Sequence, residues 1–371
     1  MVGIICFWDR LATPYLEKYE RLLRENGVDY EVVLWNRTPE ENMPEVSYEG
    51  NTVSINLPCC GSFLKRVLKF FQWRGVVQRV IKKQKYDALI MLSTVPTLLL
   101  RSLLKRKFLQ RYLFDIRDYT FEKHKPLRKL VMGLVNNSAL TAISSKGYMQ
   151  WLDPSPKIMI NHNITVDSAE EYTAPHLKNR TPLRFSFVGN VRLDTQTEAL
   201  MLQLKEHPDF EQHFYGRILP TCDIEQIGKA NNVENLFLHG PFDVTQKRQF
   251  FENIDLLNAV YANARREEDI PLGDSTPIPN RLYDCLVFYR PLVASKGTYL
   301  AELIDTYGLG CTVNGFSPDA HQIIRAYADS FDRETFIKNC DVLRMQVSEE
   351  EKEYIAAVTE LLQKWRQHAE G

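Results

Sequence analysis

Short, almost uninterrupted apolar segments recur along this chain, each separated from the next by a stretch with helical spacing. In the first half they are VGIICFW (2–8), YEVVLW (30–35), YDALIMLS (86–93), RYLFDIR (111–117), ALTAIS (139–144) and KIMINHN (157–163). In the second half they are LRFSFVGN (183–190), FEQHFYG (210–216), NLFLHG (235–240), IDLLNAVY (254–261), PLVAS (291–295) and GCTVN (310–314). A strand that is apolar on both sides needs cover on both faces, so the pattern implies parallel sheets sandwiched between helices. The helices are expected around residues 15–25, 63–83, 97–106 and 125–136, and then around 195–206, 222–230, 244–252, 279–288 and 298–306. The alternation breaks once, at DSAEEYTAPHLKNRTP (167–182), which has no periodicity and two prolines and reads as a linker.

The chain of 371 residues therefore divides into a doubly wound domain at 1–166, the linker at 167–182, a second doubly wound domain at 183–345 and a terminal amphipathic helix at 346–371. That helix is expected to pack back on the first domain. Its EEEKE run falls in the expected first turns, where carboxylates complement the helix dipole. In a pair of such domains, ligands sit at the carboxyl ends of the strands, in the cleft between them.

Composition narrows the class. With 44% hydrophobic and 25% charged residues the chain reads as a globular protein, and seven cysteines without metal-ligand spacing fit a reducing cytoplasm. The start, MVGIICFWDR, enters a strand pattern without a basic leader, so no secretory signal is expected, and the longest nearly uncharged run (88–100) is too short to span a bilayer. The net charge of −1 hides a local bias: residues 61–111 hold thirteen Lys and Arg against the single acid Asp87. Phe63, Leu64, Val67, Leu68, Phe70, Phe71 and Trp73 are interleaved with them. Peripheral contact with an anionic membrane is the expectation, against a merely solvated helix face; no nucleic-acid motif accompanies the charge, and no nucleic-acid partner is expected.

In order, the second half reads FSFVGNVR (185–192), HFYGR (213–217), NLFLHGPF (235–242), NIDLLNAVY (253–261), PNRLYDCLVFYRPLVAS (279–295) and YLAELIDTYGLGCTVN (299–314), and the first half adds FDIRDYT (114–120) and TAISSKGYMQWL (141–152). This series resembles the retaining glycosyltransferases of family 4, of the type that builds bacterial surface polysaccharides, over nearly the whole chain. The resemblance implies the GT-B fold: two Rossmann-like domains with a cleft between them, the first holding the acceptor and the second the nucleotide sugar. Aligned on Pro291, the family's second glutamate falls on Asp284, whose carboxylate would accept hydrogen bonds from ribose hydroxyls. The first glutamate, which in the family holds the donor sugar, falls on Thr276, and the family glycine falls on Tyr289, which implies a turn without a positive φ.

Departure of a nucleoside diphosphate demands cations and helix N-termini aimed at the phosphates. Arg281 lies in the first turn after Pro279 and Asn280, three residues before Asp284, so a helix points both side chains the same way; an ordinary surface ion pair with Asp284 is the alternative. The loop after the first strand of the second domain offers Gly189, Asn190 and Arg192, where the family has glycine followed directly by arginine and later by lysine. Gly216 and Gly240 end strands where a backbone can approach a ligand or simply turn, and Phe242 lies beside the base or in the core. In the first domain, Asp9 and Arg10 follow the first strand and Arg117 and Asp118 follow FDI, at strand carboxyl ends that would face the cleft. His162 is a polar contact or a satisfied linker histidine. No DxD triplet in a strand-loop context and no metal-ligand cluster is present in the sequence, so neither a metal nor a cofactor is expected; the nucleotide diphosphate sugar is the donor substrate.

The expected activity is transfer of a sugar, with retention and without a metal, from a nucleotide diphosphate sugar to a hydroxyl of a growing glycan of the capsule, exopolysaccharide or lipopolysaccharide type. The acceptor is expected on a polyprenyl diphosphate, and the protein in the cytoplasm at the inner face of the membrane. A catalytically silent partner subunit and a nucleotide-sugar 2-epimerase are the alternatives.

Overall fold

The computed structural model describes residues 1–10, 13, 15–119, 123–162 and 172–370, so part of the expected linker lies outside the described residues. The chain forms two compact units, residues 1–163 together with 350–371, and residues 164–349.

Unit 1 contains β1 (Val2–Ile5), α1 (Leu16–Glu25), β2 (Tyr30–Asn36), β3 (Val46–Glu49), β4 (Thr52–Asn56), α2 (Phe63–Gln84), β5 (Ala88–Leu92), α3 (Thr94–Lys107), β6 (Tyr112–Ile116), α4 (Lys125–Asn137), β7 (Leu140–Ile143) and β8 (Ile158–Ile160). Its eight strands run in the order β3-β4-β2-β1-β5-β6-β7-β8, and all neighbours are parallel except β3 on β4. β1, β5, β6 and β7 are buried along their whole length, which is why they read as continuous apolar runs. The β3–β4 hairpin was not anticipated. Around Gly50, whose φ is +56°, β3 is half-buried and then exposed while β4 mixes half-buried and buried positions, so this edge hairpin leaves no continuous apolar run.

Unit 2 contains β9 (Leu183–Val188), α5 (Thr195–Leu204), β10 (Phe210–Tyr215), α6 (Ile224–Ala230), β11 (Leu236–Gly240), α7 (Lys247–Phe251), β12 (Leu256–Ala259), α8 (Leu272–Ser275), α9 (Arg281–Phe288), β13 (Leu292–Ser295), α10 (Tyr299–Tyr307), β14 (Gly310–Val313) and α11 (Ala320–Asp329). Its six parallel strands run β11-β10-β9-β12-β13-β14. The chain reverses its direction of winding between β9 and β12, so the crevice at their carboxyl ends is where a sheet of this topology binds ligands.

The terminal helix α12 (Arg333–Glu370) is 38 residues long and starts thirteen residues earlier than the expected position 346. Asp332 caps it, accepting bonds from the backbone N–H of Glu334 and Thr335 and from the Thr335 hydroxyl. The EEEKE run therefore lies in mid-helix, and its first-turn dipole role is withdrawn. One stripe at intervals of three and four runs the length of the helix: Phe336, Cys340, Leu343 and Val347 enter the core of unit 2, and Tyr354, Val358, Leu362 and Trp365 enter that of unit 1. Glu351 is the charged member of this stripe, 5% exposed and ion-paired with Lys18.

Around that point unit 1 holds a polar network. The Tyr19 hydroxyl donates to Asp115 Oδ2 at 2.6 Å and lies 2.6 Å from the Tyr354 hydroxyl; Asn161 Nδ2 donates to Tyr19 at 3.0 Å, and Lys18 Nζ to the carbonyl of His162 at 2.8 Å. His162 Nε2 pairs with Glu350 at 3.0 Å, which makes it a satisfied buried histidine. Among the described residues no helix is long and apolar enough to cross a membrane.

Because Asp115 is wholly buried, each donor to it replaces a lost water. Tyr19→Phe removes one donor and is expected to lower stability by about 2 kcal/mol, the scale of a hydrogen bond to a charged group. Urea unfolding measures this, and an unchanged midpoint would show that the network adds nothing.

Candidate functional site

The carboxyl ends of β9 and β12 lead into Gly189–Arg192 and Val260–Asn263, and α5 starts beside them. Asn263 Nδ2 donates to Asp194 Oδ1 at 2.8 Å and to Asp274 Oδ2 at 3.1 Å, so the two loops are tied together at the mouth of the crevice. Burial raises the pKa of Asp194, while Arg192 and Asn263 act in the opposite direction.

Arg281 opens α9 and is 8% exposed. Its guanidinium lies 4.1 Å from the ring centroid of Phe187 and 5.8 Å from that of Tyr261, and among the described residues no carboxylate or carbonyl bonds to it. The Nε of Arg281 and the hydroxyl of Tyr261 are both buried without a hydrogen-bond partner. Burial pushes the Arg281 pKa down to about 10, with Arg192 adding to the effect and Tyr261, Asp284 and Asp194 opposing it; the group remains charged at neutral pH. The same burial raises the phenol of Tyr261 above its ordinary range. A buried cation without an anion is costly unless a ligand supplies one. At a sheet's carboxyl edge, this arrangement suits a phosphate.

Asp284, one turn further along α9, is 5% exposed. It does not pair with Arg281: its Oδ1 accepts from Lys247 Nζ at 2.7 Å, and among the described residues Oδ2 has no hydrogen-bond partner. Burial raises the Asp284 pKa, and Lys247 and Arg281 counter it. Lys247 was not anticipated, because an adjacent Lys-Arg pair at the start of a short helix carries no spacing signal. Phe187 and Tyr261 were also missed, since aromatic residues at strand ends read as core.

The other expected positions differ in what surrounds them. Thr276, buried at the end of α8, donates its hydroxyl hydrogen to the Leu272 carbonyl at 2.6 Å. Asn280 is exposed at the start of α9, and Arg192 is exposed and bonded to Asp194 at 2.9 Å. Gly216 has φ +140°, and a Cβ there would lie 1.8 Å from the Gly189 carbonyl oxygen, so its bareness answers to the protein's own backbone. Gly240 (φ +74°) and Gly189 (φ +135°) meet no such obstruction. Phe242 rests edge-on against Phe250 at 5.0 Å, in a ladder that continues through Tyr215 to His239. Tyr289 requires a correction: it adopts φ +49°, the left-handed conformation that a glycine would take without strain, and its hydroxyl is fixed by Asp341 at 2.7 Å and Arg344 at 3.2 Å.

In unit 1, Arg117 is turned inward: it is 6% exposed, bonds Asp115 at 2.7 Å and lies over the ring of Tyr15 at 4.4 Å, while its carbonyl accepts from the Tyr148 hydroxyl. Asp118 is exposed beside it, and the FDIRDYT loop passes out of the described residues at 120. Asp9 is exposed after β1, and Arg10 makes a two-pronged bond to Glu20 at 2.5 and 3.2 Å. Unit 1 thus gathers its expected residues at the carboxyl edge of its own sheet, with Arg10 and Arg117 already paired. Among the described residues no group of three or more His, Cys, Asp and Glu is placed to hold a metal ion.

No protein-family model matches the chain, and its sequence has no significant match among curated proteins. Solved structures do resemble it. An alpha,alpha-trehalose-phosphate synthase (UDP-forming) from Burkholderia xenovorans, in complex with glucose-6-phosphate, is similar with a TM-score of 0.66 and 10% identity, over 99% of this chain and 98% of that one. A sucrose-phosphate synthase from Thermosynechococcus elongatus gives 0.63 and 12% over 96% and 99%. WaaG, a glycosyltransferase involved in lipopolysaccharide biosynthesis, gives 0.57 and 10% over 98% and 99%. The fold is GT-B, with two Rossmann-like units.

The Lys247–Asp284 pair makes a testable contribution. Asp284→Leu leaves the half-buried Lys247 without its anion and is expected to cost about 2 kcal/mol, the scale of a hydrogen bond to a charged group, whereas adding Lys247→Met recovers most of the loss. Thermal and urea unfolding of the three variants form the cycle, and additive losses would show that the two side chains act independently.

Proposed function

We propose that this chain is a glycosyltransferase that takes a sugar from a nucleoside diphosphate and passes it, with retention and without a metal, to a hydroxyl of a glycan. The observation that carries this reading is Arg281: a buried guanidinium at the carboxyl edge of the unit 2 sheet with aromatic rings around it and no anion bonded to it. A donor diphosphate supplies the missing charge.

In this reading the bond between the sugar's anomeric carbon and the diphosphate oxygen breaks, and the electron pair stays on that oxygen. Arg281 stabilises the growing negative charge through a dry, preset interaction, which is worth more in the transition state than in the bound donor. Asp284 keeps Oδ1 on Lys247 and offers Oδ2 to a ribose hydroxyl, so Lys247 acts through Asp284 as a positioning residue. The acceptor hydroxyl attacks on the face the diphosphate leaves, and its proton goes to the departing phosphate oxygen. Asp118, the exposed carboxylate after β6, is the group of unit 1 assigned to orient that hydroxyl. The glycan belongs to the surface-polysaccharide class on a polyprenyl diphosphate carrier, with the protein docked peripherally on an anionic cytoplasmic membrane face; support comes from α2, which exposes Leu68 and Phe71 among Lys65, Arg66 and Lys69.

A second reading, a nucleotide-sugar-binding partner without turnover, draws on Thr276, whose hydroxyl hydrogen is committed to Leu272 where the resemblance places a sugar-holding glutamate.

Calorimetry with nucleoside, nucleoside monophosphate and nucleoside diphosphate tests the site. Arg281→Ala is expected to weaken the diphosphate by about 2 kcal/mol, the scale of a charge-assisted hydrogen bond, and to leave the nucleoside nearly unchanged. Equal affinities of wild type and variant for all three ligands would remove Arg281 from the phosphate site.

A further inference from the structure

A second concentration of positive charge lies elsewhere, at the opposite edge of the unit 1 sheet. A groove of about 750 Å³ opens between the carboxyl-terminal halves of α2 and α3, above the amino ends of β5 and β6. Six cations line it: Arg74, Lys82 and Lys85 from α2 and the residue that ends it, Arg106 and Lys107 from α3, and Arg111 at the start of β6. No acidic side chain lines it. None of the six forms an ion pair; Arg111 alone is engaged, on the Phe108 ring at 5.8 Å and on the Lys107 carbonyl.

Helix dipoles explain part of this. Lys82, Lys85, Arg106 and Lys107 sit at the carboxyl ends of α2 and α3, where cations are favoured, but that effect fades within the last turn. Arg74 lies ten residues before the end of α2 and Arg111 immediately precedes β6, yet both line the same groove. Cations gathered without acids repel one another, and the arrangement gains only if an anion of matching size shares them. The volume and the fork-shaped donors of three arginines suit a ligand with more than one phosphate-type oxygen cluster rather than a single small ion.

We infer that this groove is a second binding site, separate from the donor pocket of unit 2, for a ligand carrying phosphate or diphosphate groups. The phosphate comes from a soluble molecule or from a lipid headgroup, and the groove chemistry is the same for both. The inference rests on the groove alone and stands whether or not unit 2 transfers a sugar.

The test uses the full chain carrying Arg281→Ala, which silences the proposed donor phosphate site. In it, an Arg74→Glu/Arg106→Glu pair is compared with Lys125→Glu/Lys129→Glu, which reverses the same charge on α4 outside the groove. Inorganic pyrophosphate is titrated calorimetrically at constant ionic strength, and cosedimentation is measured with phosphatidylglycerol vesicles against phosphatidylcholine vesicles. Binding in either arm that falls at least tenfold with the groove pair, and clearly less with the control pair, supports the site, and the responding arm identifies the source. Absence of binding in both arms, or equal loss in the two pairs, overturns it. Circular dichroism melts establish that the substitutions leave the fold intact.

Discussion

Burying a guanidinium without a counter-charge is the constraint from which the unit 2 site follows. Arg281 has lost most of its water and gained two aromatic faces in return. A cation–π contact with a desolvated cation recovers about 2 kcal/mol, short of the several that removal from water costs. The rest of the site arranges itself around that deficit. Arg192 is kept on Asp194, Asp284 is kept on Lys247, and neither carboxylate neutralises Arg281. Such a centre suits an anion, and in the proposed function that anion is the diphosphate of the donor.

Unit 1 shows the contrasting solution to a buried charge. Asp115 is as inaccessible as any residue in the chain, but Arg117, Tyr19 and Asn161 all donate to it. All three donors converge on Oδ2, and the network ties β6, α1 and the last part of α12 together through Tyr19 and Tyr354. The two charged centres differ in their partners: Asp115 has a guanidinium, a phenol and an amide bonded to one oxygen, whereas Arg281 meets aromatic rings. By this criterion Arg117 and Arg10, already paired, are supports, while Asp118 and Asp9 remain exposed to solvent at the carboxyl edge.

The fold class was legible because buried parallel strands leave continuous apolar runs that nothing else in the chain imitates. What stayed hidden depended on partners distant in sequence. The hairpin of β3 and β4 has a mixed pattern because it lies at an edge. The start of α12 was missed because its first half is amphipathic against unit 2 and its second against unit 1, with Glu351 breaking the apolar stripe between them. Arg281 and Asp284 were picked out by their place in an apolar segment, yet Lys247, thirty-seven residues away, decides how Asp284 is held. Tyr289 could not be read at all: a positive φ in a tyrosine depends on the tertiary bonds from Asp341 and Arg344 that hold its hydroxyl.

The central claim is that unit 2 accepts a nucleotide sugar and cleaves it at the diphosphate. Incubating the purified chain with UDP-, GDP-, dTDP- and CMP-linked sugars and following release of the free nucleotide measures this directly. The account predicts that at least one diphosphate donor raises the melting temperature and releases its nucleoside diphosphate, slowly to water and faster once an acceptor glycan is supplied, while the monophosphate-linked CMP sugar does neither. A chain stabilised by none of these donors would contradict the account, and one stabilised without nucleotide release would leave a binding partner in place of an enzyme.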